Sequence, residues 1–444
     1  MSDAKQPAPA QTSQSAHTAQ PNQPHQPAKP AQSSKPAQSS QSHQPHTSMF
    51  DVVIVGAGPV GLFLATLLLQ EGLSVRILEQ RSSPRSDSRA IGIHPPALAA
   101  LALAKVEAPL LAEGLRIPSG VARSGGRDVG SIDFARGAPE RPFVLTLKQV
   151  RTEALLAQRL AELDPNAVVR GFCVQSIHDG GTFLTLSETV AASVVDASVR
   201  DCAVVDAPVQ EHVQGRLVVG ADGARSAVRR LLGIPTSGRN YPDTYLMGDF
   251  PDTGDDGNTA VLFLEPEGIL ESFPLPGRLR RWVVHTDSLL TDADAADLAQ
   301  LVRQRTGVEL DPGANSMLSA FEVRTRLARR MVQGRVVLVG DAAHEISPIG
   351  GQGMNLGWLD AAAVAPIIVA ALRGEKTGRR LAEFERVRMG AARTAAHQAQ
   401  LNMMLGRKSP AQFLQLRNAA LGGLFTLGVV QNFAARRFTM HNIR

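Results

Sequence analysis

A chain of 444 residues with 43% hydrophobic content can bury a large core, and its length accommodates two or three domains or one two-lobed enzyme. The formal charge of +5, from 46 basic and 41 acidic residues, is spread along the chain, and only 4% of residues are aromatic. Both argue against a nucleic-acid-binding surface, which needs clustered cations and stacking platforms.

Residues 1–48 are almost entirely Gln, Pro, Ala, Ser, His and Thr and read as a disordered low-complexity tail without the apolar core of a signal peptide. His43 and His46 could bind a metal in principle, but a solvated tail is the expectation, and no metal site is assigned. Cys173 and Cys202 lack CxxC spacing and nearby histidine pairs, which indicates neither a zinc site nor a disulfide framework. A reducing, cytoplasmic setting follows.

Ordered structure is expected to begin at "FDVVIVGAGPVGLFLATLLLQEGLSVRILEQR", residues 50–81. Val52–Val55 suit a buried parallel strand, Pro59–Gln70 show a helical pattern stopped by Gly72, and Ser74–Leu78 form a second strand. Between them lies G-x-G-x-x-G: Gly56 for the tight turn, Gly58 for close backbone approach to a pyrophosphate, Gly61 for helix-on-strand packing. Glu79 closes the second strand where a carboxylate can accept from a ribose 2'-OH, which suits FAD or NAD better than NADP. The signature does not choose between FAD and NAD.

Further along, "GRLVVGADGARSAVRRLLGI", residues 215–234, is another strand and turn, in which Asp222 could be an ordinary helix N-cap. The run 183–214 reads as an extended hairpin. "YLMGDF", "TAVLFLEPEGILESFPLPG" and "RRWVVHTD" read as strands of an antiparallel sheet, with Tyr245, Phe263, Phe273 and Trp282 as candidates to line a pocket or to fill core. "GRVVLVGD", residues 334–341, then leads into "AAHEISPIGGQGMNLGWLDA", a proline, a glycine loop and a helix start. No uncharged apolar run reaches 18 residues, so no membrane span is expected. After residue 376 the pattern turns helical. The stretch 421–438 is apolar with basic residues at one end; it could lie on a membrane or a lipophilic substrate, or pack on the body or a dimer partner.

The ordered set G-x-G-x-x-G, D-G-x-x-S-x-x-R, and G-D-A-A-H with P-x-G-G-Q-G-x-N resembles the class A FAD-dependent aromatic hydroxylases over roughly residues 49–375. The resemblance implies an α/β fold. A Rossmann-like FAD-binding domain with a parallel sheet (49–115, 148–238 and 334–375) would be interleaved with a smaller substrate domain on an antiparallel sheet (116–147 and 239–333), followed by C-terminal helices (376–444). It selects FAD over NAD and assigns Asp222 and Arg229 to FAD and the incoming nicotinamide nucleotide. Asp341 would meet the ribityl chain, and Pro348, Gly350, Gly351, Gly353, Met354 and Asn355 would run beside the isoalloxazine ring. Arg89 and Gln149 fall where similar proteins touch FAD; the plainer readings are a surface arginine and a helix N-terminal polar residue.

The implied reaction is reduction of FAD by NAD(P)H, addition of O2 at flavin C4a, and transfer of one oxygen atom from the hydroperoxide to an aromatic or polycyclic small molecule. No side chain need act as nucleophile, and a general base is not identified. His344 invites a catalytic reading, but a structural role beside the turn is expected. The alternative is a flavin-dependent reductase or epoxidase of an isoprenoid-like lipophilic substrate; the W-x-W-x-I-P stretch of the halogenases is absent. Oligomeric state, nicotinamide preference and substrate are not readable.

Overall fold

The structure, a computed structural model, describes residues 48–189 and 210–443 apart from 85–89 and 182. The expected tail, but for Ser48, and Arg89 therefore lie outside the described residues, as do residues 190–209 of the expected hairpin.

Strand β1 (Ser48–Val55) runs into helix α1 (Pro59–Gln70) and the chain returns as β2 (Val75–Glu79). Val52, Val53 and Ile54 are fully buried although they point alternately to both faces, the mark of a parallel strand covered on two sides. Gly72 stops α1 in the left-handed region at φ +79°. Helix α2 (Gln149–Leu163) packs on α1. Next, β3 (Gln210–Gly220) pairs in parallel with β1, and its first half pairs antiparallel with strand Leu184–Thr189, so the arms of the expected hairpin are present.

The chain then builds a second sheet from β4 (Thr236–Pro251), β5 (Leu270–Leu275) and β6 (Leu279–Thr286), crosses it with α3 (Ala295–Thr306) and adds β7 (Met317–Ala328). Helix α3 is fixed at its start by a capping box between Asp294 and Asp297, and it ends at Gly307 with φ +74°. The path re-enters the first sheet as β8 (Val336–Leu338), continues through the long helix α4 (Gln352–Leu372), and closes with α5 (Gly378–Gly406) and helices Ala411–Phe425 and Gly428–Phe438.

In the first sheet the order is β8, β3, β1, β2 and strand Val168–Arg170, all parallel, with Val332–Gln333 on the β8 edge. In the second, strand His344–Glu345 and then β7, β4, β6 and β5 pair antiparallel, and strands Thr259–Phe263, Ser119–Ser124 and Arg127–Asp133 extend the far side. This is the mixed α/β architecture expected.

Helix α4 is apolar and long enough to cross a membrane, yet 67% of its most apolar stretch is buried inside the protein, against α1 and helix Pro95–Leu103. At the C-terminal end Ala434 and Ala435 pack with Phe134, while Phe413, Leu416, Val429 and Phe433 face outward. One expectation is corrected: Cys173 is disulfide-bonded. Spacing along a chain carries no information about which thiols a fold brings within bonding reach.

Candidate active site

Three neighbouring parallel strands end together. Val55 of β1 lies opposite Gly220 of β3, which lies opposite Leu338 of β8, and each of the three motifs starts within a few residues of these ends. Ligands of open α/β sheets bind there, beyond the strands' carboxyl ends.

In the first motif the glycines do different work. Gly56 donates its N–H to Leu78 O (2.8 Å) and turns at φ +107°; a Cβ there would come 2.5 Å from the Ala221 carbonyl oxygen. A Cβ on Gly61 would lie 2.0 Å from Gly56 O, so α1 can start this close to the turn only without one. At Gly58 a Cβ would meet no protein atom within 4 Å, and the backbone is open to a ligand. Gly58 caps α1 without any side-chain hydrogen bond and Pro59 has no N–H, which leaves the first-turn donors of Val60 and Gly61 for an anion.

Glu79 is 3% exposed and already engaged: it accepts from Ala57 N (2.8 Å), Arg81 N (3.0 Å) and Arg81 Nε (3.0 Å). Burial alone would raise its carboxyl, but the Arg81 bonds and charge and the Ala57 bond hold it below the usual range. Its carboxylate thus clamps the glycine turn to β2.

In the second motif Asp222 accepts from Val228 N (3.1 Å) through one oxygen, and its other oxygen is buried with no protein partner. Burial pushes this carboxyl up. Arg229 donates to Ala224 O (2.8 Å) and to Ala342 O (2.7 Å). The guanidinium therefore ties the second motif to the third.

The third motif packs directly on the first. Trp358 Nε1 donates to Pro59 O (3.1 Å), and a Cβ on Gly357 would come 2.5 Å from Val60 Cγ2 and 3.1 Å from Gly340 Cα. Gly350 and Gly351 take φ +96° and +66°, and α4 begins at Gln352 with no side-chain cap. Gly353 follows in the first turn, where a Cβ would lie 3.7 Å from Asp341 Oδ1. Asp341 is exposed, although protein atoms crowd its carboxyl. Desolvation, with help from the Glu345 and Asp360 charges and against that of His344, pushes its carboxyl up to about 6. Pro348 and Gly351 are exposed, and Gly350, Gly353 and Met354 half-buried.

A family profile described as an FAD binding domain matches residues 49–399. The chain belongs to the class A FAD-dependent aromatic hydroxylases. It is 32% identical over 325 residues to rifampicin monooxygenase of Streptomyces venezuelae, a match covering 70% of this chain and 62% of that protein. With 6-methylpretetramide 4-monooxygenase of Streptomyces rimosus the identity is 32% over 343 residues, covering 74% and 57%. The chain thus spans about three fifths of the length of these curated relatives. The crystal structure of p-nitrophenol 4-monooxygenase from Pseudomonas putida shares the fold, with a TM-score of 0.78 at 24% identity over 90% of this chain and 99% of that one. Anhydrotetracycline hydroxylase from Streptomyces rimosus gives 0.69 at 26% identity, over 89% and 77%.

Two observations independent of that kinship fit an FAD in this chain: the open backbone at Gly58 beneath an uncapped helix, and the partnerless buried oxygen of Asp222 near the same turn. Asn355, expected beside the ring, is buried in the first turn of α4. Its amide oxygen accepts from His94 N (2.8 Å), and its nitrogen donates to Gly92 O (2.9 Å) and Gly351 O (2.8 Å). It staples the loop around Gly92 to the glycine turn and shapes the site from behind. Gln149 starts α2 and donates to Glu153 (2.7 Å), and its own N–H bonds Ala90 O (3.2 Å), next to the same loop.

His344 is fully buried, with Nε2 2.5 Å from Asp360 Oδ2. Asp360 also accepts from Gly340 N (3.0 Å) and from Arg388 Nε (2.7 Å). Burial alone would lower the imidazole, but the Asp360 charge and hydrogen bond outweigh it and raise His344 above its ordinary value. Asp360 goes the other way: burial would raise it, and the His344 and Arg388 charges hold it low. This ion network holds the Asp341 turn. Neither Asp360 nor Arg388 was singled out in the sequence, because they join His344 from positions 16 and 44 residues later, on α4 and α5.

The aromatic candidates separate by sheet face. Phe263 stacks on Trp282 (centroids 5.9 Å apart) and both pack with Leu298 and Val302 of α3, on the face away from the glycine loop. Phe273 belongs with Ile132 and Phe134 at the far end of the sheet. Only Tyr245 shares a cluster with Ile349 of the third motif, stacked on Phe321 (5.4 Å) and edge-on to His285 (5.3 Å).

Proposed function

We propose that this chain is an FAD-dependent monooxygenase that uses NAD(P)H and O2 to hydroxylate an aromatic or polycyclic small molecule. The convergence of three motif loops beyond the ends of neighbouring strands carries the reading. There the uncapped start of α4 lies across from the Asp341 carboxyl, directly behind the start of α1. Rifampicin and tetracycline-pathway monooxygenases among the relatives support the substrate class.

In this reading Gly56, Gly58 and Gly61 with the α1 donors hold the pyrophosphate, and Glu79 closes the adenosine end. Asp222, positioned with Arg229, and Asp341 hold the sugar and ribityl oxygens. Pro348, Gly350, Gly351, Gly353, Met354 and Asn355 lie along the ring, and Arg89 and Gln149 touch the cofactor. Residues 49–115, 148–238 and 334–375 form the cofactor lobe, and 116–147 and 239–333 the substrate lobe. The bound flavin, reduced by NAD(P)H, supplies O2 activation and delivery of one oxygen atom. The chain supplies position, exclusion of water, and roughly half a positive charge at the α4 N-terminus, which favours negative charge on the ring's facing edge.

The test is incubation of FAD-loaded protein with NAD(P)H, 18O2 and a panel of phenols and polycyclic quinols. The expected outcome is substrate-stimulated NAD(P)H and O2 consumption with one labelled oxygen in the product. A reduced, unlabelled product would replace the oxygenase with a double-bond reductase, and protein that binds no FAD would reject both.

A further inference from the structure

On β5 the side chains alternate. Leu270 packs on the α3 side with Trp282, and Ser272 lies opposite Trp282 on that same face. Glu271 points the other way, opposite Val283, whose cluster contains Tyr245, Met403 and Ile349 of the glycine loop. It therefore stands on the sheet face turned toward the third motif, with Leu262 beside it on one neighbouring strand and Val283, flanked by Arg281 and His285, on the other. Glu271 is 7% exposed, and among the described residues it makes no hydrogen bond or salt bridge. Its oxygens are not among the polar atoms sealed from solvent. A buried carboxylate without donors is a costly arrangement that a protein retains where a ligand completes it.

The neighbouring polar groups are committed elsewhere, with two exceptions on this face. Arg281 of β6 is bonded to Asp249 of β4 (2.7 Å), and Lys148 Nζ lies 3.1 Å from the same carboxylate. His285 of β6 lies 3.4 Å from Asp243, which also binds Arg407 (2.7 Å). On strand Leu115–Ile117, which packs with Phe273 of β5, Arg116 lies over the Phe143 ring. One is His285 Nδ1, which is buried without a partner on the Gly268 side; the other is the Tyr245 hydroxyl, buried without a partner and close enough to feel the Glu271 charge. Burial raises the Tyr245 phenol well above its ordinary value, so it remains a donor. The Tyr245 donor and the Glu271 acceptor, both without partners, match a ring hydroxyl.

We propose that Glu271 binds and deprotonates a phenolic hydroxyl of the substrate, with Tyr245 donating to the same oxygen. The proposal rests on the oxygenase reading and narrows its substrates to hydroxylated rings. The substrate O–H bond breaks, the proton moves to a Glu271 oxygen, and the electron pair stays on the phenolic oxygen. There it enriches the ortho and para carbons that accept the electrophilic oxygen atom. After turnover the proton leaves to solvent. Burial pushes the Glu271 carboxyl up to about 7, a value suited to accepting and releasing a proton near neutrality.

The experiment titrates FAD-loaded wild type, Glu271→Gln and Tyr245→Phe with 1-naphthol and with 1-methoxynaphthalene, reading the flavin absorbance from about pH 6 to about pH 9, below the ordinary phenol range. Wild type is expected to bind naphthol about tenfold more tightly as pH rises through the Glu271 transition, from a charge-assisted hydrogen bond. Glu271→Gln should show the weak, low-pH affinity throughout. The methoxy probe, lacking the proton, should bind both without that pH step. The acidic limb of kcat/KM for naphthol oxidation should vanish in Glu271→Gln and remain in Tyr245→Phe. Retention of the pH step in Glu271→Gln, or a wild type that binds both probes alike, overturns the proposal. In either case naphthol-stimulated uptake of labelled O2 by wild type would leave the oxygenase reading standing, so the two failures are separable.

Discussion

Gly61→Ala is expected to abolish stable FAD binding, whereas Gly58→Ala, three residues earlier, should weaken it while leaving the apoprotein's stability nearly unchanged. The two substitutions add the same methyl group to one turn. At Gly61 it would stand 2.0 Å from the Gly56 carbonyl oxygen, a backbone atom that cannot swing aside, so α1 must move outward by more than an ångström. Every residue of α1 from Gly61 to Leu68 is buried, and the displacement would disturb packing against α2 and α4 as well. Overpacking of this kind costs about 1–3 kcal/mol of fold stability. The ligand loses more: each charge-assisted hydrogen bond to a phosphate contributes about 1.5–3 kcal/mol, and misplacing two donors corresponds to at least about a hundredfold in affinity. At Gly58 the methyl meets open space and intrudes only on the ligand. Equilibrium FAD titration and thermal melting of the apoprotein separate the cases. Equal melting temperatures for both variants would show that Gly61 is not a packing constraint.

The second large effect is expected at a residue that touches no cofactor. Asp360→Asn should lower stability by about 3–5 kcal/mol, the cost of stranding buried ionic partners, because His344 and Arg388 both lose their counter-charge. The effect should carry a pH signature. His344 is raised above its ordinary 6.5, so its contribution is fully present below about pH 6.5 and is lost as pH rises through the folded value. Asp360 is held below its ordinary 3.8, so its contribution is present above that value and lost as pH falls through the folded one. Wild type should therefore be most stabilised by this network between about pH 4 and 6.5 and should lose part of that margin toward alkaline pH. In Asp360→Asn the alkaline slope should flatten. Chemical denaturation across that range would show it; an unchanged slope would mean that His344 is neutral in the folded protein. Since Asp360 also fixes Gly340 N, weaker FAD binding is expected alongside.

What could be read in advance was local. The βαβ unit, the glycine turns and the start of α4 follow from strand-like runs, residues without Cβ atoms and a helical period, all set within about thirty residues of chain. What could not be read depends on distant partners. His344 could be placed near the turn but not joined to Asp360 and Arg388. Asn355 could be placed in the glycine motif, but not joined to Gly92, His94 and Gly351, which its amide bonds. Tyr245, Phe263 and Trp282 are equally aromatic and equally strand-like. Only the sheet register puts Tyr245 toward the glycine loop and the other two toward α3, since one step along a strand reverses the face. Glu271 had a faint signal, a lone charge inside the apolar run "LESFPL", but its lack of partners is a property of the folded surroundings.

The central claim is that the three loops beyond β1, β3 and β8 form one flavin site. A crystal structure of the protein with FAD tests it most directly. The expected result places the pyrophosphate against the backbone of Gly56–Gly61, an oxygen of Asp222 in a hydrogen bond to the cofactor, and the ring edge against the N–H groups at the start of α4, with Glu271 across an open pocket. A flavin bound with its ring away from Gly350–Gly353, or a cleft there filled by the protein's own side chains, would contradict the account.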